Sequence, residues 1–122
     1  MNDKKTILID IDGTICNQTE GDYENSVPNK IAIAKINNWY AEGHTIIFYT
    51  SRFMGRCKNN AEEVYRIGYE FTKKQLKSWG VKFHELIMGK PKADLIIDDR
   101  TAFFNHDWEN LDFLVKNNSD KK

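Results

Sequence analysis

The sequence predicts one α/β domain built on a mostly parallel sheet. Its 122 residues give room for a single domain, read as 1–122. Short apolar, β-branched runs alternate with segments of helical spacing, the order of β-helix-β units. Several of those runs end in small polar or acidic clusters, as strands do at the ligand-bearing edge of an open parallel sheet.

The first strand is expected over 6–11, an apolar run interrupted only by Asp10 and patterned for burial on both faces. Gly13 breaks it, and the polar, acidic stretch 16–27, with Glu20, Asp22 and Glu24, reads as a flap. Pro28 and Asn29 open a helix over 29–42, in which Ile33, Ile36 and Tyr40 recur at helical spacing until Gly43 stops it. A second buried strand over 45–50 runs into Thr50-Ser51-Arg52, and the strand-helix-strand order makes the pair parallel. Asn60 and Glu63 resemble a capping pair ahead of Val64, Ile67 and Phe71. Gly68 weakens the middle of that helix, and Thr72 starts a second piece carrying Leu76 and Trp79 as far as Gly80. A shorter third strand follows over 83–88 with Gly89 at its exit, and a fourth over 94–97 leads into Asp98-Asp99. Weak helical periodicity over 108–116 precedes a polar tail, 117–122, expected to fray.

Composition removes several classes of function. Hydrophobic residues make up 40% of the chain and aromatic ones 12%, enough for a core and too little bias for disorder. Eighteen Lys plus Arg balance eighteen Asp plus Glu, so no global positive field holds a polyanion or an acidic membrane. Duplex nucleic acid and membranes are therefore not expected partners. No apolar run approaches the roughly 20 residues of a membrane span, and the N-terminus leads into a strand rather than a signal segment, so a cytoplasmic location is expected. Cys16 and Cys57 read as reduced thiols, and His44, His84 and His106 lack metal-ligand spacing.

The chemistry collects at the strand ends: Asp10 and Asp12, Thr50 and Ser51, Asp98 and Asp99. Carboxylates gathered on one edge repel and raise one another's pKa values unless a cation joins them. A hard divalent ion with oxygen ligands, Mg2+, is the expected solution. A lone aspartate at a strand end is ordinarily a turn residue or a cap. The run Asp10-Ile11-Asp12-Gly13-Thr14 is more specific: alternation sends both aspartates to one side, and Gly13 lets the backbone approach a ligand.

With Ile15 behind it, that run resembles the first motif of the haloacid dehalogenase superfamily of phosphatases. Thr50 at the end of an apolar strand resembles the second motif, Lys90 in Gly89-Lys90-Pro91 the third and Asp98-Asp99 the fourth. More narrowly, 48–55, 89–91 and 97–100 resemble small cap-less members associated with surface-polysaccharide (capsule) precursor pathways. The resemblance implies a three-layer, Rossmann-like sandwich with a mostly parallel sheet. It implies phosphomonoester hydrolysis through an aspartyl-phosphate, with Asp10 as nucleophile and Asp12 as general acid and base. It also implies a phosphate site of Thr50, Ser51 and Lys90, with Mg2+ held by Asp10, Asp98 and the carbonyl of Asp12. Asp99 would hold a metal-bound water or orient a neighbour. Only 89–93 separates the third strand from the fourth, at most about 17 Å. Either the third strand is short or displaced, or Lys90 approaches from the loop into the fourth; Lys92 and Lys74 are the substitutes.

Between Asp12 and Thr50 the flap and one helix use all of the chain, which leaves no cap and an open site. The acidic flap disfavours a polyphosphate backbone. Arg52, Arg56 and Lys58 follow Thr50 and are candidates for a second anionic group such as a sugar carboxylate, Arg52 first because it lies nearest. Tyr23, with Phe53 or Met54, is the candidate contact for the leaving group. The expected function is Mg2+-dependent hydrolysis of a small phosphorylated metabolite, such as a sugar or amino-alcohol phosphate of surface-polysaccharide biosynthesis. The alternatives are a nucleotide or nucleic-acid-end phosphatase and a phosphoryl-accepting signalling domain. A homo-oligomer is left open.

Overall fold

A computed structural model describes residues 3–117. Three strands, β1 (Thr6–Ile9), β2 (Thr45–Tyr49) and β3 (Glu85–Ile87), form a parallel sheet in the order β1-β2-β3. Helix α1 (Lys30–Ala41) connects β1 to β2, α2 (Ala61–Ser78) connects β2 to β3, and α3 (Trp108–Asn117) follows β3. This α/β arrangement is compatible with a Rossmann-like fold. Ile9 lies opposite Phe48, and Phe48 opposite Leu86, so the buried residues of all three strands share one face. No helix among the described residues is long and apolar enough to cross a membrane.

The helix starts follow from local chemistry. The Asn29 side chain accepts from the N–H groups of Ile31 and Ala32, and Asn60 accepts from Glu63 N–H, each satisfying donors that a first turn leaves open. Glu63 turns to Arg66 rather than back to Asn60, so the second half of a capping box is not made. Helix α3 lies on α1 through Trp39: its ring meets Trp108 at 6.1 Å and its Nε1 donates to Asp112 Oδ1 at 2.9 Å. His44 and His84 serve the sheet, their Nδ1 atoms accepting from Lys5 N–H and Ile46 N–H. Both cysteines are free.

Three expectations are corrected. First, no strand forms over 94–97: Leu95 is 75% and Ile97 88% exposed, which leaves β1 at the sheet edge with Leu8 57% exposed rather than buried on both faces. An apolar run of three residues between Asp94 and Asp98 has no ladder of its own, and its pattern alone cannot supply the neighbour that a strand requires. Second, α2 is one helix and does not restart at Thr72. Gly68 is there for space: a Cβ would lie 2.4 Å from the Phe53 ring, which occupies the side-chain position. Third, the strands expected over 6–11 and 83–88 are shorter, Thr6–Ile9 and Glu85–Ile87. Most of the tail, 118–122, lies outside the described residues; Asn117 ends α3.

The crowding at Gly68 gives a test of sign. Alanine is the better helix former by about 1 kcal/mol, whereas overpacking a filled site costs about 1–3 kcal/mol. Gly68→Ala is expected to lower the Tm by a few degrees, with less loss when Phe53 is shortened to Leu. A raised Tm in thermal denaturation of Gly68→Ala alone would contradict the packing.

Candidate active site

The exits of all three strands meet at one place. Directly after β1, Asp10 and Ile11 lead into a tight turn in which Thr14 and Ile15 N–H both donate to Ile11 O, at 3.0 and 2.9 Å. Beyond β2, Thr50 N–H donates to Ile87 O at 3.0 Å, and Thr50 O accepts from Lys90 N–H at the same distance. Main-chain pairing thus continues past the strand ends with one extra residue after β3, and it ties Lys90 to Thr50. Gly89, at φ +88°, makes the turn between them in a conformation that favours glycine. The short third strand is what lets Lys90 reach the site: its Nζ lies 3.7 Å from Asp10 Oδ1. Lys90, rather than Lys74, is the ammonium paired with Asp10.

Asp10 is electrostatically perturbed. Burial pushes it above its ordinary value, the Lys90 ammonium and the Ile11 N–H draw it back, and neighbouring Asp12 adds to the rise. The charged form is therefore short of partners, and a cation arriving beside it is favoured.

Asp12 is held differently. Its Oδ2 accepts from Arg52 Nε at 2.8 Å and its Oδ1 from Arg52 Nη2 at 2.9 Å, a two-pronged pair of the kind that fixes a carboxylate's plane. Arg52 is 1% exposed. Its Nη1 donates to Gln75 Oε1 at 2.6 Å, Nη2 also reaches Ser26 Oγ at 3.4 Å, and the guanidinium lies 4.6 Å from the centre of the Tyr23 ring. The substrate-anion role expected for Arg52 is thus replaced by a positioning one, because its donors are spent inside the protein. Gln75, in turn, donates from Nε2 to Tyr23 O at 2.7 Å. Sequence reasoning missed Gln75, although it continues the Ile67, Phe71 stripe at i+4 and i+8, a polar residue on an otherwise apolar line.

The flap is fastened rather than free. Tyr23 accepts at its hydroxyl from Phe53 N–H at 3.2 Å, its ring packs on Phe53 at 4.8 Å, and Arg56 Nη2 donates to Gly21 O at 3.0 Å. Tyr23 still borders the cavity, half-buried, so it is both packing and wall. Cys16 is buried, its Sγ 3.5 Å from Asp12 Oδ1, and burial pushes its thiol up to about 11, away from the reactive thiolate.

Asp10, Asp12, Ser51, Lys90, Tyr23 and Arg56 border one cavity of about 750 Å³. Thr50 is not among the residues that border it: it is 1% exposed, with its Oγ1 accepting from Arg52 N–H at 3.1 Å. Asp98 and Asp99 are not gathered with them. Both are exposed: Asp98 accepts from Arg100 N–H, and Asp99 lies 4.0 Å from Arg100 Nε. Among the described residues no group of three or more His, Cys, Asp and Glu is disposed to hold a metal. The oxygen donors in hand are the Asp10 carboxylate and the main-chain carbonyl of Asp12, whose polar neighbour is Gln18 Nε2 at 3.4 Å.

The fold has a counterpart among solved structures. The chain is similar to a structural genomics target from Vibrio cholerae, with a TM-score of 0.75 and 26% identity over 81% of this chain and 82% of that one. No family model and no curated protein matches the sequence.

Removing one partner of a buried ion pair strands the other, at a cost of about 3–5 kcal/mol. Arg52→Leu is expected to lose that much in urea denaturation and visibly less when Asp12 is already Asn. Equal losses in the two backgrounds would show that Arg52 does not act on Asp12.

Proposed function

We propose that the protein is a phosphomonoester hydrolase that uses Asp10 as nucleophile, with a small phosphorylated metabolite as substrate. The observation that carries the reading is the meeting of Asp10, Lys90 and Thr50 at three separate strand exits: the Lys90 N–H donates to Thr50 O, and the Lys90 ammonium lies 3.7 Å from Asp10 Oδ1. These are the residues that correspond to the first three haloacid dehalogenase motifs. The finer architecture belongs to the same proposal: a cap-less, three-layer core with 16–27 as a short flap. So do a cytoplasmic location and a place in surface-polysaccharide biosynthesis.

In this reading the phosphoryl group sits in the cavity, with Lys90 and the Ser51 region balancing its charge. Asp12 must hold a proton on one oxygen when substrate is bound; an Asp10 oxygen then bonds to phosphorus as the phosphorus–oxygen bond to the leaving group breaks, and Asp12 passes that proton to the departing oxygen. Water then attacks the aspartyl-phosphate, Asp12 takes the water's proton, and phosphate leaves with Asp10 restored. Arg52 fixes Asp12 in place, and the lone pairs it leaves unoccupied are the ones available for this work. Mg2+ suits the oxygen-only donors Asp10 and Asp12 O, and when bound it would neutralise phosphoryl charge. Asp98 would join from the 94–98 segment, with Asp99 beside it.

One observation favours a second reading. Asp12 is engaged by Arg52 at both oxygens, and an acid–base group so occupied suits a domain that accepts a phosphoryl group at Asp10 and keeps it. Turnover separates the two. With Mg2+, the protein is expected to release p-nitrophenol from p-nitrophenyl phosphate repeatedly, EDTA is expected to stop it, and Asp10→Asn to reduce it to the no-enzyme level. Undiminished turnover in Asp10→Asn would sink the nucleophile assignment, and a single stoichiometric release would favour the acceptor domain.

A further inference from the structure

We infer that Arg56 and Lys92 form an anion subsite at the mouth of the Asp10 cavity, which selects metabolites carrying a second negative group, a carboxylate or another phosphate, on the leaving portion. The inference rests on the phosphatase reading and names the substrate class of the same site.

Charge matching around the cavity leads to it. Of the cations that border it, Arg52 is paired with Asp12 and Lys90 with Asp10. Arg56 and Lys92 are left, and among the described residues neither has a carboxylate within ion-pair distance. One acidic side chain on the same wall, Glu20 of the flap, opposes them. Asp22 and Glu24 of the flap border an adjoining cavity with Arg56 but lie outside ion-pair distance of it, so Arg56 and Lys92 stand out by their unpaired charge rather than by an excess of positive charge at the rim.

Arg56 is also pre-positioned. Its Nη2 is held by Gly21 O at 3.0 Å, and its guanidinium lies 4.9 Å from the centre of the Phe53 ring and 5.9 Å from that of Tyr23. One hydrogen bond and two ring faces fix the plane of the group and leave further N–H donors unspent, the condition for two-pronged binding of a carboxylate or phosphate. Lys92 reaches the same rim from the other side. Its Nζ lies 3.9 Å from where a Cβ on Gly55 would stand, next to Arg56 in the chain. Two cations from separate segments, 51–59 and 89–93, thus border the same cavity as Asp10 and Lys90.

A charge-assisted contact is worth roughly tenfold or more in binding, which makes substrate discrimination measurable. The experiment compares matched pairs: 3-phosphoglycerate with glycerol 3-phosphate for a carboxylate, and fructose 1,6-bisphosphate with fructose 6-phosphate for a second phosphate. Binding is read by calorimetry in the full-length Asp10→Asn protein, and kcat/KM in the unsubstituted one. The doubly charged member of at least one pair is expected to be favoured about tenfold or more, and the pair that responds tells carboxylate from phosphate. In the Arg56→Gln, Lys92→Gln double variant, checked for folding by circular dichroism, that ratio is expected to fall towards one. Equal binding within both pairs, or a preference that survives in the double variant, would overturn the subsite. Failure of p-nitrophenyl phosphate turnover would instead overturn the phosphatase reading, because the binding ratios in Asp10→Asn need no catalysis.

Discussion

The guanidinium of Arg52 ties four parts of the chain to one point. It takes both oxygens of Asp12 from the loop after β1, Gln75 from α2, Ser26 and the Tyr23 ring from the flap, and it stands in the loop after β2. A buried cation is tolerated only with its donors satisfied, so the surrounding segments can adopt few other arrangements. Flap position, the pitch of α2 and the orientation of Asp12 are consequently one structural decision. Gln75 extends it by holding the flap backbone at Tyr23 while it holds Arg52.

That constraint leaves Asp10 in a contrasting environment a short step away. Asp12 has a fully committed partner, whereas Asp10 is half-buried beside an ammonium at 3.7 Å and carries the raised carboxyl. Two neighbouring carboxyls thus sit in different surroundings, one held by a guanidinium and the other half-buried beside an ammonium. Lys90 reaches this position because β3 is only three residues long and Gly89 turns the chain immediately afterwards.

Much of this was legible in the residues. Asn29 and Asn60 mark helix starts through their side-chain oxygens, alternation and β-branching mark β2, and Asp10-Ile11-Asp12-Gly13-Thr14 marks the turn that leaves β1. The features that were not legible depend on partners distant in sequence. Gly68 reads as a helix weakness until the Phe53 ring is seen in its place. Arg52 reads as a free cation beside a phosphate site until Asp12 and Gln75 claim it. The run 94–97 carries a strand's composition, yet pairing is a property of two segments, and no local pattern reports whether the second is present. Asp98 and Asp99 go with it, and they are the site residues the structure leaves apart from the rest.

In the proposed reaction Asp10 itself becomes phosphorylated. Mass spectrometry of protein quenched in acid during turnover of p-nitrophenyl phosphate, followed by proteolysis, tests this most directly. The expected result is the mass of one phosphoryl group on the peptide that contains Asp10, localised to that residue and absent from Asp10→Asn. A phosphoryl group localised to any other residue, or its persistence in Asp10→Asn, would contradict it.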